Sequence, residues 1–165
     1  MSDYKEYGDE HNIEVVNVRL VREPSLYSEK PIRTSQDVLN TIASELKQYD
    51  REVFGIINLK TNGQIINFNI CSVGTLDSSL VHPRDIMKST ILSNAAGFIA
   101  IHNHPSGNTT PSEADKTTTE RLVNCGEVLG IKMLDHIIVA GETGKILSMA
   151  QEGMMPSPDI RDLTR

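Results

Sequence analysis

Two histidines and a carboxylate stand close together in the segment His102-Asn103-His104-Pro105-Ser106-Gly107-Asn108-Thr109-Thr110-Pro111-Ser112-Glu113-Ala114-Asp115. Residues two apart in an extended chain project to the same side, so His102 and His104, at the end of an apolar strand, present converging imidazoles. Pro105 and Gly107 end that strand and turn the chain, which brings Ser112 and Asp115, on the first turn of the next helix, back toward the same point. Two imidazole nitrogens and one carboxylate oxygen form a borderline-hard donor set that suits zinc, and three protein ligands leave the fourth tetrahedral position for water. An open position is the mark of a catalytic site. Ser112-x-x-Asp115 is also a helix-capping pattern, and a lone histidine at a strand end is ordinarily a surface residue. The joint pattern has few structural reasons to exist, and one zinc per chain, held by His102, His104 and Asp115, is the expectation.

The elements that must position these residues follow from periodicity. Ile13 to Val21 is β-branched and partly alternating, a strand signal closed by Pro24. Thr34 or Ser35 caps a helix in which Val38, Leu39, Ile42 and Leu46 recur at helical steps, ending near Gln48. Val53 to Leu59 reads as a strand, Thr61-Asn62-Gly63 as a hairpin turn, and Gln64 to Val73 as the antiparallel return. Pro83 suits the first turn of a second helix, with Asp85 at the positive end of its dipole and Ile86, Met87, Ile91 and Leu92 as an apolar stripe. Gly97 starts a buried strand, Phe98 to Ile101, that leads to the histidines. Ser112 caps a helix running through Leu122, Val123 and Leu129 to Gly130, a C-terminal glycine. Ile131 to Val139 is a further strand, Gly141-Glu142-Thr143-Gly144 a turn, and Lys145 to Met149 a short last strand. Strands interleaved with helices, with one tight hairpin, predict an α/β (α+β) domain: a mixed, largely antiparallel sheet flanked by helices.

Composition narrows the class. A chain of 165 residues, 38% hydrophobic, has material for one core and suits a single compact domain. Lys and Arg number 16 against 22 Asp and Glu, a formal charge of −6, so the charge does not support direct DNA binding. Residues 1–12 form an acidic segment expected to be frayed. Two cysteines are too few for a disulfide scaffold, and no cationic segment followed by an apolar stretch opens the chain, which reads as a reduced, cytoplasmic protein. The longest apolar stretches, Ala95 to Ile101 and Ile137 to Ala140, fall far short of the ~20 residues that cross a bilayer.

Other residues carry less. No G-x-G-x-x-G or P-loop pattern follows a strand, so phosphate binding has no support. Asp135 and His136 are adjacent on a strand and point to opposite faces, which excludes a dyad and makes His136 a structural histidine. His82 starts a helix. Ser106 lacks an orienting third group, and a metal-bound histidine cannot serve as its base. Cys71 and Cys125 are core-facing. His102-Asn103-His104 spells H-N-H only through adjacency and is no warrant for an HNH nuclease.

H-x-H-P-x-G followed by P-S-x-x-D resembles the JAMM metalloprotease motif, with the motif's seven residues between His104 and Ser112. Val81-His82-Pro83-Arg84-Asp85, Asn94-Ala95-Ala96, His102 to Gly107 and Leu134-Asp135-His136-Ile137-Ile138-Val139 together are similar to the JAB domain of the bacterial RadC family, over roughly Gln48 to Gly153. Two departures are expected: the helix-hairpin-helix region that precedes this domain in longer members is missing, and Asp85 stands where the family usually has Glu. The resemblance implies a JAB/MPN-like (cytidine-deaminase-like) single domain over residues 13–155, with residues 156–165 as a tail. It implies a zinc hydrolase in which His102, His104 and Asp115 hold the metal, Glu52 hydrogen-bonds the zinc water, and the Ser112 hydroxyl supports the oxyanion. The substrate class would be a peptide or an isopeptide-linked protein. Two rivals stay open: an accessory protein of DNA repair or mobile elements, weakly catalytic or not at all, and, ranked lowest, a metal-dependent nuclease. The sequence sets no oligomeric state, and a dimer is compatible with it.

Overall fold

The computed structural model describes residues 19–21, 26, 35–74 and 81–159. The strand expected over Ile13–Val21 falls mostly outside these residues, and 19–21 carry no regular structure. Among the described residues, three helices and five strands follow in the order α1 (Ser35–Leu46), β1 (Val53–Leu59), β2 (Ile65–Val73), α2 (Pro83–Leu92), β3 (Gly97–His104), α3 (Glu113–Leu129), β4 (Lys132–Ala140) and β5 (Ile146–Ser148). The strands form one mixed sheet in the order β2-β1-β3-β4-β5, antiparallel except for the parallel pair β3 and β4. That pair needs a crossover, and α3 supplies it. The architecture is the mixed, largely antiparallel sheet flanked by helices that the pattern predicts.

The pleat sorts side chains onto two faces. Phe54 and Ile56 of β1 and Phe98 and Ala100 of β3 pack with Ile86, Met87 and Leu122 of α2 and α3. Val53, Ile57, Ile101, Ile137 and Val139 point the other way, against Ile42, Ala43 and Leu46 of α1. Because alternate residues share a face, His102 and His104 leave β3 on the α2/α3 side and Asn103 on the α1 side.

The expected stripe on α2 needs correction. Ile91 and Leu92 are 54% and 40% exposed, and Ser89 and Thr90 are buried with Ile86 and Met87. The cause lies in β1. The fully buried Asn58 donates to Asn67 Oδ1 at 2.7 Å and to the hydroxyls of Ser89 and Ser93 at 3.2 Å each, so a buried amide selects a partly polar helix face. The elements at the predicted site match closely. Ser112 is the N-cap of α3 and Gly130, with φ 68°, its C-cap.

Candidate metal centre

The end of β3 delivers the two imidazoles, and a tight turn returns the chain. Gly107 N–H donates to the His104 carbonyl at 3.0 Å, and Gly107 sits at φ 79°, a backbone conformation that glycine enters without steric cost. Ser112 then starts α3 with a reciprocal cap: its Oγ accepts from Asp115 N–H at 3.1 Å, and its own N–H donates to Asp115 Oδ2 at 2.7 Å. The cap turns the Asp115 carboxylate toward the histidines. His102 Nε2 and His104 Nε2 lie 2.9 Å apart, Asp115 Oδ1 is 3.1 Å from the first and Oδ2 3.3 Å from the second.

These donor atoms suit a metal ion. Ligands held about 2.0–2.1 Å from a tetrahedral zinc lie about 3.3 Å from one another; here the two nitrogens are 2.9 Å apart, each has one Asp115 oxygen at 3.1 or 3.3 Å, and one ligand atom from each of the three residues lies within 4.8 Å of the others. Among the described residues, His102, His104 and Asp115 form the one group of three such side chains that could hold an ion. His102 is buried, whereas the His104 and Asp115 side chains keep 11% and 15% exposure, so the centre is reached from their side.

Hydrogen bonds behind the histidines aim the nitrogens. His104 Nδ1 is 2.6 Å from the carbonyl of Asn108, which can only accept, so Nδ1 carries the hydrogen and Nε2 faces the centre bare. A longer chain does the same for His102. Thr119 Oγ1 donates to the Asp115 carbonyl one helical turn back, at 2.6 Å, and having spent its hydrogen it accepts from His136 Nδ1, also at 2.6 Å. His136 Nε2 is thereby left to accept from His102 Nδ1 at 2.9 Å, which frees His102 Nε2. Burial holds the His136 pKa well below the ordinary imidazole value, so this ring stays neutral and keeps one donor and one acceptor. Phe54 walls both rings, stacked on His102 at 5.7 Å and edge-on to His136 at 5.5 Å.

The charges are strongly coupled. Burial alone would raise the Asp115 carboxyl, but the facing His102 and His104 rings and the hydrogen bond from the Ser112 hydroxyl outweigh it and hold the group well below the usual carboxylate range. The bond to Asp115 raises the pKa of His104 above the ordinary 6.5, helped by the Asn108 carbonyl and by the charge of Glu52. A basic, ionisable pocket of this kind is a place where a cation displaces protons.

The family model of the RadC-like JAB domain matches residues 32–154. The chain belongs to that family. It is 41% identical over 124 residues to a UPF0758 protein of Moorella thermoacetica, an overlap of 75% of this chain and 53% of the relative. Relatives from Desulforamulus reducens and Staphylococcus carnosus, also UPF0758 proteins, are 42% and 41% identical over 75% and 79% of this chain. The match spans about half the length of these relatives, covering 54% and 57% of the latter two.

In this RadC-like JAB domain the remaining candidates take distinct places. Glu52 is half-buried and immediately precedes β1; continuing the register Phe54↔His102 sets it opposite His104, on the face that carries the centre. It is outside the group of three donors and close enough for its charge to act on His104. Ser112 is exposed and gives its hydroxyl hydrogen to Asp115 Oδ2 at 2.6 Å. His82 is the N-cap of α2 without a side-chain cap bond. Cys71 and Cys125 pack against the core, and burial, then Asp85, push the Cys71 thiol up to about 12, which leaves it unreactive.

His136 is more than a structural histidine. The Asp135 carboxylate indeed makes no bond to the ring, accepting instead from Ser148 Oγ and from the Ala150 and His136 backbone N–H groups, but the His136 ring itself stands behind His102. Thr119 and Gly141 were also unforeseen. A Cβ on Gly141 would meet the Pro105 carbonyl oxygen at 2.8 Å and the His104 carbonyl oxygen at 3.1 Å, so this glycine lets the β4–β5 turn back the turn that follows His104. One signal was available: Thr119 is four residues after Asp115 and must share its helix face.

Proposed function

We propose that this domain is a zinc-dependent hydrolase of the JAMM type that cleaves an amide or isopeptide bond in a peptide or protein substrate with a metal-activated water. The observation that carries the reading is the convergence of His102 Nε2, His104 Nε2 and the Asp115 carboxylate within 3.3 Å of one another, with Glu52 on the same face. A bound zinc would supply a water acidified toward neutrality and a Lewis-acid contact for the substrate carbonyl. His102, His104 and Asp115 would hold it.

Glu52 is the proton carrier in this scheme. Its carboxylate takes one proton from the attacking water as oxygen bonds to the carbonyl carbon, then delivers that proton to the amide nitrogen as the C–N bond breaks. Ser112 holds Asp115 in register through the cap; its hydroxyl reaches a substrate oxyanion only by giving up the bond to Asp115 Oδ2. A formal charge of −6 favours a protein substrate over duplex DNA.

The test is a screen of peptide and isopeptide libraries with wild type and Glu52→Gln. Cleavage by the zinc-loaded wild type that the zinc-loaded variant lacks is the expected result. Equal cleavage by both would remove Glu52 from the chemistry. Sub-micromolar binding of duplex DNA at ~150 mM salt with no cleavage would favour the DNA-accessory reading instead.

A further inference from the structure

Asn103 lies between the two histidines, is fully buried, and leaves β3 on the opposite face. The β1–β3 pairing reaches as far as Phe54↔His102, so Glu52 sits beyond the last paired residue of its strand. There a side chain takes over the role of the ladder. Asn103 Oδ1 accepts from Val53 N–H at 2.7 Å, and Asn103 Nδ2 donates to the Arg51 carbonyl at 3.0 Å and to the Tyr49 carbonyl at 3.5 Å. One planar amide therefore grips the backbone on both sides of Glu52. Gly74 N–H, donating to the Glu52 carbonyl at 2.8 Å, holds the same residue from the β2 side. With its neighbours pinned before and after, the Cα–Cβ direction of Glu52 is set.

We propose that Asn103 is a positioning residue that fixes Glu52 relative to the metal centre. The proposal rests on the role given to Glu52 above. Its logic is geometric: His102 and His104 carry the metal on one face of β3, and the residue between them carries the backbone of the proton acceptor on the other. The distance from Glu52 to the metal is thereby set within a single tripeptide. A residue serving only to satisfy the α1–β1 turn would make the same bonds without affecting where the Glu52 carboxylate points, and the two roles separate experimentally.

The experiment loads the full chain with cobalt(II), a paramagnetic stand-in for zinc, and reads the relaxation of the 13C-labelled Glu52 carboxyl carbon. The signal is assigned by its loss in Glu52→Gln. Wild type is compared with Asn103→Ser, too short to reach both partners, and Asn103→Asp, which keeps the acceptor for Val53 N–H and loses the donor. For a carboxyl carbon about 5 Å from the ion, a retreat of ~1 Å, enough to misplace a catalytic group, cuts an inverse-sixth-power effect by about threefold. Asn103→Ser is expected to show that loss and faster exchange of the Val53 amide, while cobalt affinity stays within about threefold of wild type because the ligands are untouched. Asn103→Asp is expected to keep the Val53 amide protected and to fall between the two. Unchanged Glu52 relaxation in both variants, with cobalt bound, overturns the proposal. So does loss of cobalt with the Val53 amide still protected, which would make Asn103 a support of the histidines. If Glu52→Gln keeps full hydrolysis while Asn103→Ser displaces the carboxylate, the proton-transfer role fails and the clamp stands.

Discussion

Replacing Thr119 by valine removes one hydroxyl and keeps the shape of a side chain that touches no donor atom of the centre. In the wild type the hydroxyl gives its hydrogen to the Asp115 carbonyl and can only accept from His136 Nδ1, so one tautomer of His136 is selected and His102 Nε2 is left bare. In Thr119→Val the Nδ1–H of His136 meets a methyl group in a dry interior. The opposite tautomer then competes, donating from Nε2 to His102 Nδ1 and forcing a hydrogen onto the very nitrogen that must bind metal. The lost hydrogen bond amounts to about 1 kcal/mol, and to about 2 kcal/mol if the stranded N–H bears its full desolvation penalty. At about 1.4 kcal/mol per factor of ten, the apparent zinc affinity should weaken by about fivefold, with about thirtyfold as the ceiling. Competition titration against a chromophoric chelator measures the affinity, and long-range proton–nitrogen spectra show whether His136 Nε2 has gained a hydrogen. Zinc binding within about twofold of wild type, together with a protonated His136 Nε2, would refute the relay.

Three further outcomes are expected. Elemental analysis should find one zinc per chain in wild type and none in His104→Ala or Asp115→Ala, and Asp115→Ala should lower the melting temperature as well, because it removes the reciprocal half of the Ser112 capping box, about 0.5–1 kcal/mol. Zinc affinity should be flat above the raised pKa of His104 and fall by about tenfold per unit below it, since the charged imidazole cannot ligate; a chelator titration across pH 5–9 on the His104 signal checks the sign. Gly141→Ala should destabilise the fold by about 1–3 kcal/mol in denaturant unfolding and weaken zinc binding, because its methyl drives against the Pro105 and His104 backbone with no side chain there to move aside.

What could be read from the chain in advance was local. Asn62-Gly63 announced the β1–β2 hairpin, Ser112 and Gly130 the two ends of α3, and the alternation His102, His104 the convergence of imidazoles, because each depends on a few consecutive residues. The rest depends on which strand lies beside which. His136 looked like an ordinary core residue until β4 was placed parallel to β3, in the register Ala100↔His136, which sets its ring behind His102. Asn103 looked like an accident of spelling because its partners lie near the end of α1 and the start of β1, about fifty residues earlier in sequence. On the inward face of α2, periodicity ranks Ile91 and Leu92 above Ser89 and Thr90, whereas the buried amide of Asn58 draws in Ser89 and the Met87 carbonyl satisfies the Thr90 hydroxyl.

The three donor residues fall within 102–115, a strand end, a turn and one helical turn. Closing so short a stretch of chain costs little entropy, so, if the native centre holds zinc as proposed, the unfolded polypeptide should retain some power to chelate it. A ligand that also binds the unfolded chain cannot stabilise the native state without limit: added zinc should raise the melting temperature and then reach a plateau set by the ratio of the two affinities. The height of that plateau measures what folding adds to bare chelation. Part of that addition comes from outside the stretch, through Thr119 and His136, which hold the His102 ring already pointing the right way.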